Sequence, residues 1–258
     1  MSPTRRLRSL SLVAVVLAAA TIVVGIPAAV AGHEPPAPNP TPTRSSQINN
    51  LTLVENQIKY YYGDPTGTGV ATASSPYAKE VKGVEQRITA LLAAKAHGHQ
   101  PGKKAIVLDV DDTSLLTYNY EISVQFAYTP ASNAVYVDGK KFPAVFGMNA
   151  VATWATHHGY SLFFVTGRPS TQQDATVGNL AKAGFPTATK VYTKDQTRPY
   201  LSSCAPTCTT IQYKSLTRKL IESQGYDIVA NVGDQFSDLE GGYADHGFKV
   251  PNPMYYLP

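Results

Sequence analysis

The run Ala105-Ile106-Val107-Leu108 is apolar at every position and stops at Asp109. A strand that is apolar on both faces must be covered on both, as inside a parallel sheet, where ligand chemistry gathers at the carboxyl ends of the strands. The same pattern recurs downstream. Periodicity predicts a helix over 145–158, a strand over 161–165, a helix over 171–183 closed by Gly184 and a strand over 190–192. A helix over 214–224 closed by Gly225, a strand over 227–231 and a short helix over 236–243 complete the series. Such alternation specifies an α/β fold, a Rossmann-like parallel sheet with helices on both faces.

Two helices are expected ahead of this core. Ile48, Leu51, Val54, Ile58 and Tyr61 recur at helical spacing until Gly63-Asp64-Pro65. Ser75 before Pro76 is an N-cap pattern, and Val81, Val84, Ile88, Leu91 and Leu92 form one stripe running toward Gly98. The aromatic stretch 114–142 breaks the alternation and is expected to sit over the strand ends as a cap. His97-Gly98-His99, His157 and His158 read as helix ends rather than ligands.

Arg5, Arg6 and Arg8 precede an apolar run, Leu10 to Val24, shorter than the ~20 residues of a membrane span. With Ala29-Val30-Ala31 as a cleavage pattern, residues 1–31 read as a signal peptide removed after Ala31, giving a secreted protein without a stable membrane anchor. An uncleaved anchor is the rival, and the arginine pair leaves the export route open. Prolines spaced over 35–43 make 32–44 an extended linker, so the folded part is 45–258. Three charges of the formal net +4 belong to the leader arginines, so +1 remains and no basic tract for a nucleic acid polymer is left. Oligomeric state is not written in these patterns. The two cysteines, Cys204 and Cys208, predict a local disulfide in an exported chain, with free thiols as the alternative. No further Cys or nearby His completes a zinc set.

Asp109-Val110-Asp111-Asp112-Thr113 lies where the first strand runs out. Two carboxylates two positions apart can divide labour, the first attacking phosphorus as a covalent nucleophile and the second protonating the leaving oxygen, then taking a proton from water. Crowding of like charges raises one carboxyl, which favours mildly acidic conditions. Taken alone, this string also fits a solvated turn or a structural cation site.

Three further elements follow in order: Leu162-Phe163-Phe164-Val165-Thr166-Gly167-Arg168, then Tyr213-Lys214-Ser215 with Arg218, then Asn231-Val232-Gly233-Asp234-Gln235-Phe236-Ser237-Asp238. With the ending Lys249 to Tyr256, they make residues 45–258 resemble the haloacid dehalogenase (HAD) superfamily. Within it the chain is similar to the secreted acid phosphatases of subfamily IIIB, related to plant vegetative storage proteins. The resemblance implies Asp109 as nucleophile and Asp111 as general acid and base, with Thr166, Gly167 and Lys214 on the phosphoryl oxygens. It implies Mg²⁺ held by Asp109, Asp111 (through its carbonyl), Asp234 and Asp238, a small phosphomonoester as substrate, and amides after Asp109 as an anion nest. Arg168 either binds phosphate or braces its loop, and Asp112 is given no chemical role. Tyr118, Tyr120, Phe126, Tyr128 and Tyr136 either stack on a leaving group or form the cap's own core. The rivals are a storage or binding protein on the same fold, and a phosphotransferase or 5′-nucleotidase with the same chemistry.

Overall fold

The computed structural model describes residues 41–97 and 102–257, so the leader, most of the linker, Gly98 and His99 lie outside the described residues. The described residues form one sheet of five strands: β1 (Lys103–Leu108), β2 (Ser161–Pro169), β3 (Lys190–Lys194), β4 (Tyr226–Gly233) and β5 (His246–Lys249). Their order is β3-β2-β1-β4-β5 and every neighbouring pair is parallel. The chain moves outward from β1 through β2 to β3 and then crosses back to the other side of β1. That reversal opens a crevice at the carboxyl ends of β1 and its neighbours.

Strand periodicity divides the core. Ala105 and Val107 pack with Phe163, Val165, Tyr213 and Ile221 on one face, while Ile106 and Leu108 pack with Leu162, Phe164, Val81 and Ile88 on the other. β1 is thus buried on both faces, as its unbroken apolar run requires. In β4, Val229 and Ala230 both join the second face, because the register steps from Ala105↔Ile228 to Ile106↔Ala230 and leaves Val229 as a bulge.

The helices are α1 (Leu51–Tyr61), α2 (Pro76–Ala96), α3 (Tyr118–Ser123), α4 (Pro130–Asp138), α5 (Met148–His157), α6 (Gln173–Lys182), α7 (Thr210–Ser223) and α8 (Phe236–Leu239). α2 begins as its sequence predicts, with Ser75 Oγ accepting from the Ala78 amide at 3.1 Å. α7 starts a turn ahead of the predicted Lys214. Thr209 and Gln212 cap each other reciprocally, Gln212 N donating to Thr209 Oγ1 at 3.2 Å and Thr209 N to Gln212 Oε1 at 2.9 Å. α8 stops at Leu239 rather than Tyr243, because Gly241 and Gly242 turn to φ 84° and 77°. β5 was not predicted; its four residues include His246 and Gly247 and carry no apolar run.

The insertion 114–142 contains α3 and α4, and it sorts its aromatics into two groups. Tyr118 stacks on Tyr62 at 4.3 Å, and Tyr120 packs edge-on to Tyr136 at 5.3 Å, so these rings belong to the core. Phe126 and Tyr128 instead line the cavity described below. Cys204 and Cys208 are disulfide-bonded. Among the described residues no helix is long and apolar enough to cross a membrane.

Candidate active site

Asp109, Asp234 and Asp238 come together from β1, β4 and α8. Each is almost fully buried, and one oxygen from each lies within 4.8 Å of the others. Asp109 continues the β1 ladder, its amide donating to Val232 O at 2.9 Å, which aims the carboxylate out of the strand end. Lys214, in the first half of α7, sends its ammonium between two of the acids, donating to Asp109 Oδ1 at 2.5 Å and to Asp238 Oδ1. Asp238 is fixed from its other oxygen, which accepts from the Gln235 amide at 2.8 Å. Asp234 accepts from Thr113 Oγ1 at 3.0 Å, Gln235 Nε2 at 2.7 Å and Asn252 Nδ2 at 2.8 Å. Three ionised carboxylates against one ammonium give the cluster a net charge of two minus. The donors are all oxygens, so the cluster suits a hard divalent cation.

Gly233 makes this approach feasible: a Cβ there would meet Asp238 Cβ at 2.2 Å and Oδ2 at 2.4 Å. Gly233→Ala is therefore expected to push Asp238 out of the cluster and cost about 1–3 kcal/mol of stability. The melting-temperature gain on adding a divalent cation should shrink with it, and thermal melts with and without the cation check both.

Asp111 points elsewhere. Both its oxygens are held by Arg168, from Nε at 2.9 Å and Nη2 at 2.6 Å, while Arg168 Nη1 donates to Thr176 Oγ1 at 3.1 Å. Its carboxylate stands outside the set of three. Arg168, left open between phosphate and loop on sequence grounds, is thus placed as the partner of Asp111. Thr166 is buried within the second half of β2, its Oγ1 accepting from the Arg168 amide at 3.2 Å, and Gly167 beside it is exposed. Asp109, Asp111, Thr166, Gly167, Lys214, Asp234 and Asp238 all line one cavity of about 460 Å³. The expected anion nest is reduced, because the amides of Asp112, Ser114 and Leu115 are spent inside the turn itself.

Three contributors were named in the sequence reading without a role in the site. Arg218, 1% exposed, donates to the carbonyls of Asp238, Glu240 and Gly242 and ties off the end of α8, fixing the backbone that carries Asp238. Asp112 takes φ 53° and accepts from the Thr117 amide at 2.9 Å and the Tyr255 hydroxyl at 2.7 Å, so it anchors the turn rather than facing a substrate. The segment after β5 returns across the site. Leu257 N donates to Gln235 Oε1 at 3.0 Å, and Met254, Tyr255 and Leu257 wall the cavity.

Burial pushes Asp109 well above the ordinary carboxylate range; the Lys214 ammonium opposes this, and the charges of Asp238 and Asp234 reinforce it. Burial, then the charges of Asp238 and Asp112, bring Asp234 up to about 7. Asp112 also reaches about 7 through burial, held back by its hydrogen bonds from Thr117 and Tyr255. Burial works to lower Lys214, but the two carboxylates beside it keep it raised. Between the ordinary value of 3.8 and about 7 the folded chain therefore holds protons that the unfolded chain has lost. This cluster's contribution to stability is full below that window and is lost as pH rises through it. The metal-free protein is expected to melt progressively lower from about pH 4 to about pH 7, with a smaller fall in Asp234→Asn and recovery on adding a divalent cation.

The HAD superfamily, subfamily IIIB (acid phosphatase), matches residues 43–258. The chain belongs to that family. Acid phosphatase 1 of Solanum lycopersicum is 31% identical over 160 residues, 60% of this chain and 60% of that protein. Stem 28 kDa glycoprotein of Glycine max is 40% identical over 101 residues, 38% of this chain and 37% of that protein. The aligned segments therefore span less than two thirds of either relative. Among solved structures, the class C acid phosphatase from Bacillus anthracis superposes with a TM-score of 0.61 at 20% identity, covering 80% of this chain and 85% of that one. At that identity the likeness speaks for the fold, and it agrees with the parallel α/β sheet that alternation predicts.

Proposed function

We propose that the protein is a secreted, Mg²⁺-dependent acid phosphatase that hydrolyses small phosphomonoesters through a phosphoaspartate on Asp109. The observation that carries this reading is the seating of a buried strand-end carboxylate against Lys214 and two further acids in one cavity. Membership of an acid phosphatase subfamily supports the same class of chemistry.

In this reading a carboxylate oxygen of Asp109 forms a bond to phosphorus as the ester oxygen departs, and Asp111 supplies the proton that oxygen takes up. Asp111 then accepts a proton from the water that frees Asp109. Giving up the proton leaves Asp111 anionic and bound by Arg168, so Arg168 steadies the form that must act next as base. Lys214 and the Thr166 hydroxyl hold the phosphoryl oxygens. Asp109, Asp234 and Asp238, with the Asp111 carbonyl, would hold Mg²⁺, whose charge would offset repulsion between Asp109 and the phosphate dianion. The cap rings Phe126 and Tyr128 give the leaving group an aromatic wall without dictating one substrate. The Cys204–Cys208 bond supports an oxidising compartment and hence export.

The test is phosphate release from p-nitrophenyl phosphate at mildly acidic pH, with chelator and after Mg²⁺ is restored. Chelation is expected to remove turnover and Mg²⁺ to return it. Turnover that ignores chelator would overturn the mechanism. No turnover with Mg²⁺ would leave the storage role that the name of the Arabidopsis thaliana relative, Vegetative storage protein 2, suggests. Adding a simple alcohol and analysing products separates hydrolysis from transfer.

A further inference from the structure

Every acid already placed in the cavity has a partner: Asp109 and Asp238 share Lys214, Asp111 holds Arg168, and Asp234 takes hydrogen bonds from neighbouring side chains. Glu121 does not. It sits on α3 in the cap, is 4% exposed and lines the same cavity, yet among the described residues no hydrogen bond or ion pair reaches its carboxylate. Burial, with nothing to offset it, pushes its carboxyl up to about 7.

Around it the cap is shaped deliberately. Gln125 and Phe126 both take left-handed backbone, φ 52° and 58°, in a turn closed by the Phe126 amide on Glu121 O at 2.8 Å. Consecutive non-glycine residues in that region are strained. The turn brings Phe126 to the cavity wall together with Tyr128. A buried carboxylate without a counter-charge is costly until one arrives, and ring faces beside it attract cations. A leaving group with an ammonium satisfies both features, whereas one with a carboxylate or second phosphate meets a like charge in a poorly hydrated wall.

We propose that Glu121 makes this cavity prefer leaving groups carrying a cationic nitrogen over leaving groups carrying a second anion. The inference rests on the reading of the cavity as a phosphomonoesterase site.

Two esters on one aryl platform isolate the charge: 4-(aminomethyl)phenyl phosphate and 4-carboxyphenyl phosphate. Their kcat/KM values are measured with Mg²⁺ slightly above neutral pH for the wild-type chain and for Glu121→Gln, which keeps the shape. The amine-over-acid ratio is expected to fall at least ~10-fold in Glu121→Gln. Wild-type turnover with a ratio that Glu121→Gln leaves unchanged would overturn this inference alone. Failure of the wild-type chain to release phosphate from either ester both at this pH and at mildly acidic pH would remove the catalytic reading and the inference together. A readout in the unmutated chain covers a variant that does not fold: inhibition of p-nitrophenyl phosphate turnover by 4-(aminomethyl)phenol should be tighter than by 4-hydroxybenzoate. Equal or weaker inhibition by the amine would overturn the proposal.

Discussion

Asp109→Asn is expected to lower phosphate release by at least ~10⁴-fold, because the amide keeps the shape of the side chain and removes the nucleophile. The same substitution should not lower the melting temperature of the metal-free protein. Asp109 is one of three buried carboxylates crowded within 4.8 Å, and Lys214 keeps Asp238 as a partner when Asp109 is neutralised. Removing one of the repelling charges offsets the loss of one ion pair. Phosphate release and a thermal melt on the same preparation check both halves. A variant that folds and still turns over substantially would point to another nucleophile.

Lys214→Met should have the opposite profile, harming the fold as well as the chemistry. Lys214 is 5% exposed and its ammonium stands between Asp109 and Asp238, so its loss leaves two buried carboxylates facing each other. Breaking a buried pair from one side costs about 3–5 kcal/mol. The deficit should be largest near neutral pH and shrink in acid, where the orphaned carboxylates take up protons. Denaturant melts of metal-free wild-type and variant chains across pH measure it. A variant as stable as wild type at neutral pH would show that the ammonium is not the counter-charge for this cluster.

Which parts of this site could be read from the chain follows from what sequence patterns encode. Asp109 and Asp234 each end an apolar strand, and burial of the strand fixes where its last side chain emerges. Lys214 and Asp238 lie at set spacings in helices that follow such strands. The pairing of Asp111 with Arg168 joins residues 57 apart and that of Asp112 with Tyr255 joins residues 143 apart. Periodicity states which face a residue occupies and not which distant residue meets it, so neither pairing was legible. Arg218 was visible one turn beyond Lys214, but the three carbonyls it holds run from α8 into the Gly241-Gly242 turn, whose path depends on φ rather than side-chain type. The start of α7 was missed for a different reason. Thr209 and Gln212 make a good cap, yet they end a stretch of Ser, Thr and Pro that reads as loop.

Asn252, Tyr255 and Leu257 all lie beyond the fifth strand in the chain, and they complete the hydrogen bonding of Asp234, Asp112 and Gln235. A nascent polypeptide can assemble all five strands before these residues exist. On the chemistry proposed here, hydrolytic competence waits on the segment after β5, and a nascent chain whose sheet has formed is inert toward phosphate esters until that segment has been made and has crossed the site.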